Sequence, residues 1–417
     1  MNRREIEFAG AVVVVGLLAG LAGAATITLL DFIEHLTYHY RFGSLLDGVS
    51  GAGPIRRVLG PMVGGALAGC GWWLLRRRLT VPTVPEAISR PGPLPRLAMT
   101  ADAALQTLLV GSGASLGREN APRLFAVALG DLALSRSALT GRDREILLGC
   151  AAGAGLAAVY SVPVGGALFA LQVVLHTWGL RAVVTATLTS GLAVVAASPV
   201  THDQPPLHWP GPELSYLLTV LAVLLAPLAL AVGWAFNAVM NAARARALGT
   251  SWLLIPALAG AGLLVGMCSR WLPELPGNGA SVLVVSLRSG LTLGAAAAVV
   301  VLKPVLTALF LRAGGAGGLL TPALATGAAA GAVIALAANT FSPVHLNVPA
   351  VSMAFAAGVL AVTQNAPVWA AIFVWELSRP PWWLLATFAV AAVGAWLLGQ
   401  LRRPASVRRP GPTPRHR

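Results

Sequence analysis

From Ala313 to Trp375 the chain runs 63 residues without one Asp, Glu, Lys or Arg. A helix crossing the hydrocarbon core of a bilayer needs roughly 20 apolar residues, so this run holds more than one crossing. The pattern recurs along the chain. Phe8 to Leu30 is 23 residues free of charge, Ile146 to Leu180 is 35, Leu214 to Ala243 is 30, Ala247 to Ser269 is 23 and Pro380 to Leu401 is 22. Composition agrees, since 11% of the 417 residues are charged and 56% are hydrophobic, with a mean hydropathy of +0.75. A soluble domain carries about 25% charged residues to face water. This chain must turn most of its surface to lipid instead. Its apolar runs are continuous rather than alternating, which argues against a barrel. Lipid offers the backbone no hydrogen-bond partner, so helices remain. The expectation is an all-α, polytopic membrane protein with at least ten hydrophobic helices.

The formal charge of +14 is unevenly placed. Six arginines and no acid lie between Arg402 and Arg417, in a stretch rich in proline that reads as a disordered basic tail. A tail of this kind after a last span is more simply a positive-inside anchor than a nucleic-acid site, and Arg3 and Arg4 precede the first run. Both termini are therefore expected in the cytoplasm of a cell whose inner (plasma) membrane holds the protein. The first run is too long for a signal-peptide core. Cys70, Cys150 and Cys268 sit far apart in apolar surroundings and suggest neither disulfides nor a metal knot.

Glycine and proline punctuate the runs from inside. Gly111-Ser-Gly-Ala-Ser-Leu-Gly-Arg-Glu-Asn-Ala-Pro122 and Gly314-Gly-Ala-Gly-Gly-Leu-Leu-Thr-Pro322 each read as a loop entering a helix with proline near its start. Such starts present free amides and the positive end of the helix dipole. The segments Leu156 to Gln172 and Leu360 to Glu376 also resemble each other, with Pro163 and Pro367 204 residues apart and Pro122 and Pro322 200 apart. The expected organisation is a transmembrane unit over 1–401, with repeats over about 9–200 and 213–401, then the tail over 402–417. Broken helices at matching positions of two repeats point to a transport site between them.

These motifs resemble those of the CLC chloride channels and transporters. Gly113-x-x-x-Gly117-Arg118-Glu119-x-Ala121-Pro122 is similar to the family's G-R-E-G-P loop, and Gly317-Gly318-Leu319-Leu320-Thr321-Pro322 to its G-G-I-F-x-P loop. Pro276-Gly277-Asn278-Gly279, the Leu302-Lys303 stretch and the two proline segments follow the family's pattern in order, and the likeness runs from about Ala9 to Leu401. The resemblance implies a homodimer with one anion path per subunit, no cofactor and no metal. Loop amides around Gly117, Arg118 and Asn120 and those of Leu319 and Leu320 would line the path, with Glu119 as its gate: ionised, it fills the anion site; protonated, it leaves. Partial charges suit this task because conduction needs binding that is favourable yet weak enough to release.

Three departures shape the mechanism. The family's G-S-G-I-P loop appears as Val81-Pro82-Thr83-Val84-Pro85-Glu86, so Pro82 takes the place of the anion-contacting serine, with Thr83 beside it as a substitute hydroxyl. Members with proline there tend to favour nitrate. The acidic pair of proton-coupled members is Gln172 and Val173 here, and Ile88 stands where another acid is common. The inner-gate tyrosine falls near Ser406, and no tyrosine follows Tyr216. With the inner proton route apolar, the expectation is passive, channel-like conduction of a small anion, chloride foremost. The alternative is proton-coupled antiport of chloride, nitrate or fluoride through another acid, Asp131 and Glu376 being the candidates considered. Two enzyme readings compete at a distance. Gly113-Ala-Ser115-Leu-Gly117 matches a hydrolase G-x-S-x-G but lacks the strand and an acid–His pair, and Glu34-His35-x-x-x-His39 has metal-ligand spacing yet reads as the wet end of the first helix.

Overall fold

The computed structural model of the chain describes residues 3–41, 43–135, 137–201, 209 and 216–402. Among these residues the elements are α1 (Arg3–Tyr38), α2 (Leu45–Gly51), α3 (Pro54–Arg76), α4 (Val84–Ser89), α5 (Arg96–Gly111), α6 (Asn120–Leu134), α7 (Arg142–Tyr160), α8 (Pro163–Leu168), a π-helical continuation of it (Phe169–Val174), α9 (Leu180–Thr201), α10 (Tyr216–Ala245), α11 (Leu254–Cys268), α12 (Ala280–Leu287), α13 (Leu293–Arg312), α14 (Leu320–Phe341), α15 (Val348–Gln364), α16 (Pro367–Ser378) and α17 (Leu384–Leu401). Seven of them are long and apolar enough to cross a membrane, and four shorter apolar helices accompany them. The basic tail lies outside the described residues.

Local chemistry sets the helix ends. Asn347 accepts from the Ala350 N–H at 3.0 Å and Thr292 from the Ala295 N–H at 3.2 Å, each satisfying an amide of a first turn that has no carbonyl below it. Proline opens α3, α8 and α16, where its missing N–H costs nothing. The lipid-facing sides carry what a soluble protein would bury: Val13, Leu17 and Leu21 on α1 and Val220, Leu224 and Leu228 on α10 are exposed. By contrast α14 is enclosed, with Leu320 through Ala332 entirely buried, and forms the axis of the molecule.

The two halves repeat one device. α7 ends at Ser161 in the left-handed region, φ 54°, and Pro163 opens α8 two residues on. α15 ends at Asn365, φ 53°, and Pro367 opens α16 two residues on. α8 and α16 then pack together and cap each other. The Gln172 side-chain oxygen accepts from the Trp369 N–H at 2.9 Å, at the start of α16. Glu376 accepts from the Val164 and Gly165 N–H groups at 3.1 and 2.6 Å, at the start of α8. Both capping residues stand nine positions after their proline. Glu376 is thus committed to backbone amides.

One end of the bundle concentrates charge. Arg4 and Arg181 both meet Asp143, at 2.8 and 3.1 Å, and Arg181 also meets Glu5. Arg96 and Arg144 clasp Asp131 at 2.7 and 2.6 Å. The starts of α1, α5, α7 and α9 and the end of α6 meet at this basic face. Asp131, considered above for a proton route, is held there between two guanidiniums.

Candidate anion site

The two glycine-rich loops meet at the centre of the molecule. The Gly117 N–H donates to the Gly318 carbonyl at 2.8 Å and the Gly318 N–H returns to the Gly117 carbonyl at 2.9 Å, a two-residue bridge between halves. A third motif joins them. Lys303, fully buried, donates from Nζ to the carbonyls of Leu275 and Gly277 at 2.9 and 2.7 Å, and the Gly277 N–H donates to Gly113 O at 3.0 Å. The result aims the N-termini of α6 and α14 at one point.

Glu119 occupies that point. It is 1% exposed. Its Oε1 accepts from the Leu320 N–H at 2.7 Å, and its Oε2 accepts from the Thr321 hydroxyl at 3.0 Å. Tyr160, at the end of α7, reaches the same oxygen at 3.5 Å and Thr321 Oγ1 at 2.8 Å. Since the threonine proton goes to the carboxylate, the shorter contact is Tyr160 donating to Thr321. A β-carbon on Gly117 or Gly318 would overlap the carboxylate, so both glycines are needed for its close approach. A negative charge therefore rests on directed donors and on the positive end of α14, worth about half an elementary charge. Chemically this is an anion seat filled by the protein's own carboxylate.

The flanking residues have partners of their own. Arg118 lies over the Tyr160 ring, 5.0 Å from its centre, and makes no ion pair with Glu119. The Asn120 side chain turns into a buried string. Its amide donates to Gln106 Oε1 at 3.0 Å, Gln106 donates to Asp102 at 2.6 Å, and the Trp72 indole donates to the other Asp102 oxygen at 2.7 Å. Leu319 precedes the first turn of α14 and Leu320 begins it.

These features are joined by a match in sequence: residues 64–399 fit the family described as voltage gated chloride channel. The chain belongs to the voltage-gated chloride channel family. Among curated members, the voltage-gated ClC-type chloride channel ClcB of Escherichia coli is 28% identical over 413 residues, covering 95% of this chain and 96% of its own. Solved structures of the family share the fold. A slow cyanobacterial Cl-/H+ antiporter aligns with a TM-score of 0.78 at 18% identity, covering 94% of this chain and 95% of its own. A CLC-type fluoride/proton antiporter aligns at 0.74 and 17%, covering 96% and 97%. A eukaryotic CLC transporter aligns at 0.75 and 16%, covering 96% of this chain and 73% of its own.

Membership of a transport family answers the enzyme readings, and the geometry accounts for their residues. Ser115 is fully buried and pairs with Thr307 at 3.2 Å. Glu34 receives the Tyr40 hydroxyl at 3.2 Å, while His35 Nδ1 faces the Asp31 carbonyl at 2.6 Å. Among the described residues no hydrogen bond joins Pro82 or Thr83 to Glu119, Leu320 or Thr321. The Thr83 N–H donates to Glu86 at 2.8 Å as part of the cap of α4, and Pro82 lines an open cleft of about 410 Å³ with Thr80, Val81, Glu86, Ser89 and Arg90. The position near Ser406 lies outside the described residues. Tyr160 and Thr321, which hold the carboxylate, are the members that sequence reasoning passed over, although both sit inside the quoted motifs. Asp102 is another, and its signal was plain: it is the lone acid between Leu97 and Gly117.

Proposed function

We propose that the chain exchanges small monovalent anions, chloride foremost, for protons across the membrane, with Glu119 as the group both compete for. The observation that carries this reading is the seat itself: carboxylate and anion need the same donors and cannot hold them together. While Glu119 is ionised the seat is filled and the path is closed. Protonation removes the charge, the Leu320 amide and the Thr321 hydroxyl lose their charged acceptor, and the side chain withdraws. An entering anion must shed water, a cost of several kcal/mol or more. The same amide and hydroxyl, together with the Tyr160 hydroxyl, offset it.

Exchange rather than passive conduction is supported by two antiporters among the structures that share this fold. Passive conduction is the second reading. It is favoured by Val173 and Ile88 in place of acids and by the channel designation of the Escherichia coli relative. Clustering of arginines at the face that carries the N-terminus supports placing that face in the cytoplasm of a multi-pass plasma-membrane protein. A homodimer with one path per subunit follows the family pattern.

The test is purified protein in liposomes under a chloride gradient, with the membrane potential clamped by an ionophore. Exchange drives protons uphill in proportion to chloride flux. Chloride flux without proton movement establishes passive conduction. Glu119→Gln, which mimics the protonated side chain, is expected to keep chloride flux, lose its pH dependence and end proton transport. Persistent pH dependence in that folded variant removes Glu119 from the role.

A further inference from the structure

Arg76, Arg77 and Arg78 stand at the end of α3, Arg244 and Arg246 at the end of α10, and Arg312 at the end of α13. The chain stitches these ends together. Arg76 Nη1 donates to the Gly314 carbonyl at 2.8 Å. The Leu248 N–H, two residues past Arg246, donates to the Arg312 carbonyl at 2.9 Å. Three helix ends carrying six arginines thus converge on residues 312–314, and all of the six but Arg76 are exposed.

No acid answers them. Among the described residues none of the six makes an ion pair, whereas Arg4, Arg96, Arg144 and Arg181 on the same basic face are each paired with Asp143, Asp131 or Glu5. Glu86, eight residues past Arg78, is turned back on the Thr83 N–H to cap α4. Asp102 is buried under its indole and carboxamide donors. Between Arg244 and Arg312 the one acid in the sequence is Glu274, which lies past the far end of α11. Helix C-termini offset about half an elementary charge each. Three of them leave most of the positive charge of six guanidiniums unanswered.

The surroundings are those of a bilayer surface. α3, α10 and α13 are all long and apolar enough to cross a membrane, so their ends lie at its edge. Leu74, in the last turn of α3, is 53% exposed, and Trp252, just before α11, is 62% exposed. The Arg77 guanidinium lies over the Trp73 ring, 4.8 Å from its centre. Tryptophan favours the headgroup level of a membrane, and the planar guanidinium fork matches the oxygens of a phosphate.

We propose that the joined ends of α3, α10 and α13 form a binding site for an anionic phospholipid, whose phosphodiester the arginines hold while its acyl chains run past Leu74 and Trp252. The site is separate from the Glu119 seat and does not depend on how that seat works. A free inorganic anion gains only the charge here. A lipid gains the charge and also covers the exposed apolar side chains beside it.

Native mass spectrometry of the purified, delipidated full chain tests this, with phosphatidylglycerol or phosphatidylcholine of identical acyl chains added. An arginine near an anionic headgroup is worth about fivefold in binding. Wild type is therefore expected to hold phosphatidylglycerol about tenfold or more tighter than phosphatidylcholine, and Arg77→Gln/Arg246→Gln to lose most of that preference. Arg3→Gln/Arg142→Gln removes the same charge from exposed positions elsewhere on the basic face and is expected to leave the preference within about twofold of wild type. Equal losses in the two pairs reveal a general charge effect without a site and overturn the proposal, as does an unchanged preference in folded Arg77→Gln/Arg246→Gln. Displacement of the lipid by millimolar inorganic phosphate overturns it in favour of a free-anion site. Should a variant not fold, wild type alone decides, because equal binding of the two lipids overturns the proposal without any substitution.

Discussion

At the scale of single residues, the Thr321 hydroxyl is the group that most directly holds the gate shut, because its bond to Glu119 exists only while the carboxylate is charged and seated. A hydrogen bond to a charged group contributes about 1.5–3 kcal/mol. Thr321→Val removes it at nearly constant volume. The ionised, seated state is then less favoured, so the carboxylate vacates at lower proton concentration. Half-activation of anion efflux is expected to move toward higher pH by about one to two units, at 1.36 kcal/mol per unit. Efflux from liposomes across a pH series measures the shift, and an unmoved midpoint shows that the hydroxyl does not hold the carboxylate. Tyr160 acts one step further out, through Thr321, and had no signal in the sequence beyond its place before a proline. A tyrosine near a helix end is ordinary. Only the meeting of its hydroxyl with Thr321, at the start of α14, gives it meaning.

Among the elements, α8 and α16 stabilise each other through side chains that answer the first-turn amides of the opposite helix. Glu376→Ala leaves the Val164 and Gly165 N–H groups without an acceptor, and the expected loss is about 1–3 kcal/mol of stability. Gln172→Ala removes one neutral bond and costs about 1 kcal/mol. The two contacts lie at opposite ends of an antiparallel pair, about 13 Å apart at 1.5 Å per residue, so their effects on thermal unfolding should add within about 0.5 kcal/mol. Strong non-additivity in the double variant contradicts this geometry. The helices themselves were legible because their signals are local: uncharged runs, glycine loops and prolines at starts announce a broken helix from inside its own sequence. The buried polar string was not. Asp102 and Gln106 share a face of α5, but Trp72 and Asn120 reach them from α3 and α6, and no spacing rule relates residues on different helices. For the same reason sequence could only name Asp131 and Glu376 as candidate proton carriers, whereas packing gives one to Arg96 and Arg144 and the other to the amides of α8.

For the whole molecule, the cluster of ion-paired arginines at one face makes orientation testable. Single cysteines in place of Ser89, exposed near the basic face, and Ser50, exposed at the opposite end, should differ in intact cells. A membrane-impermeant maleimide is expected to label Ser50→Cys and to reach Ser89→Cys only after permeabilisation. The reverse pattern inverts the topology. The Gly117–Gly318 bridge carries a consequence for how the protein comes into being. Glu119 is translated some two hundred residues before Leu320, so it enters the membrane before its partners have been synthesised. Through that interval the first half harbours an unanswered acid, and its neighbourhood stays unfinished until the last third of the chain arrives. Contacts this distant in sequence form late. Continuity of the polypeptide is then dispensable, provided both pieces are present together. Two fragments divided between α9 and α10 and co-expressed should restore anion flux, while either fragment alone gives none. The nascent chain, in this sense, is a lock delivered before its keyhole.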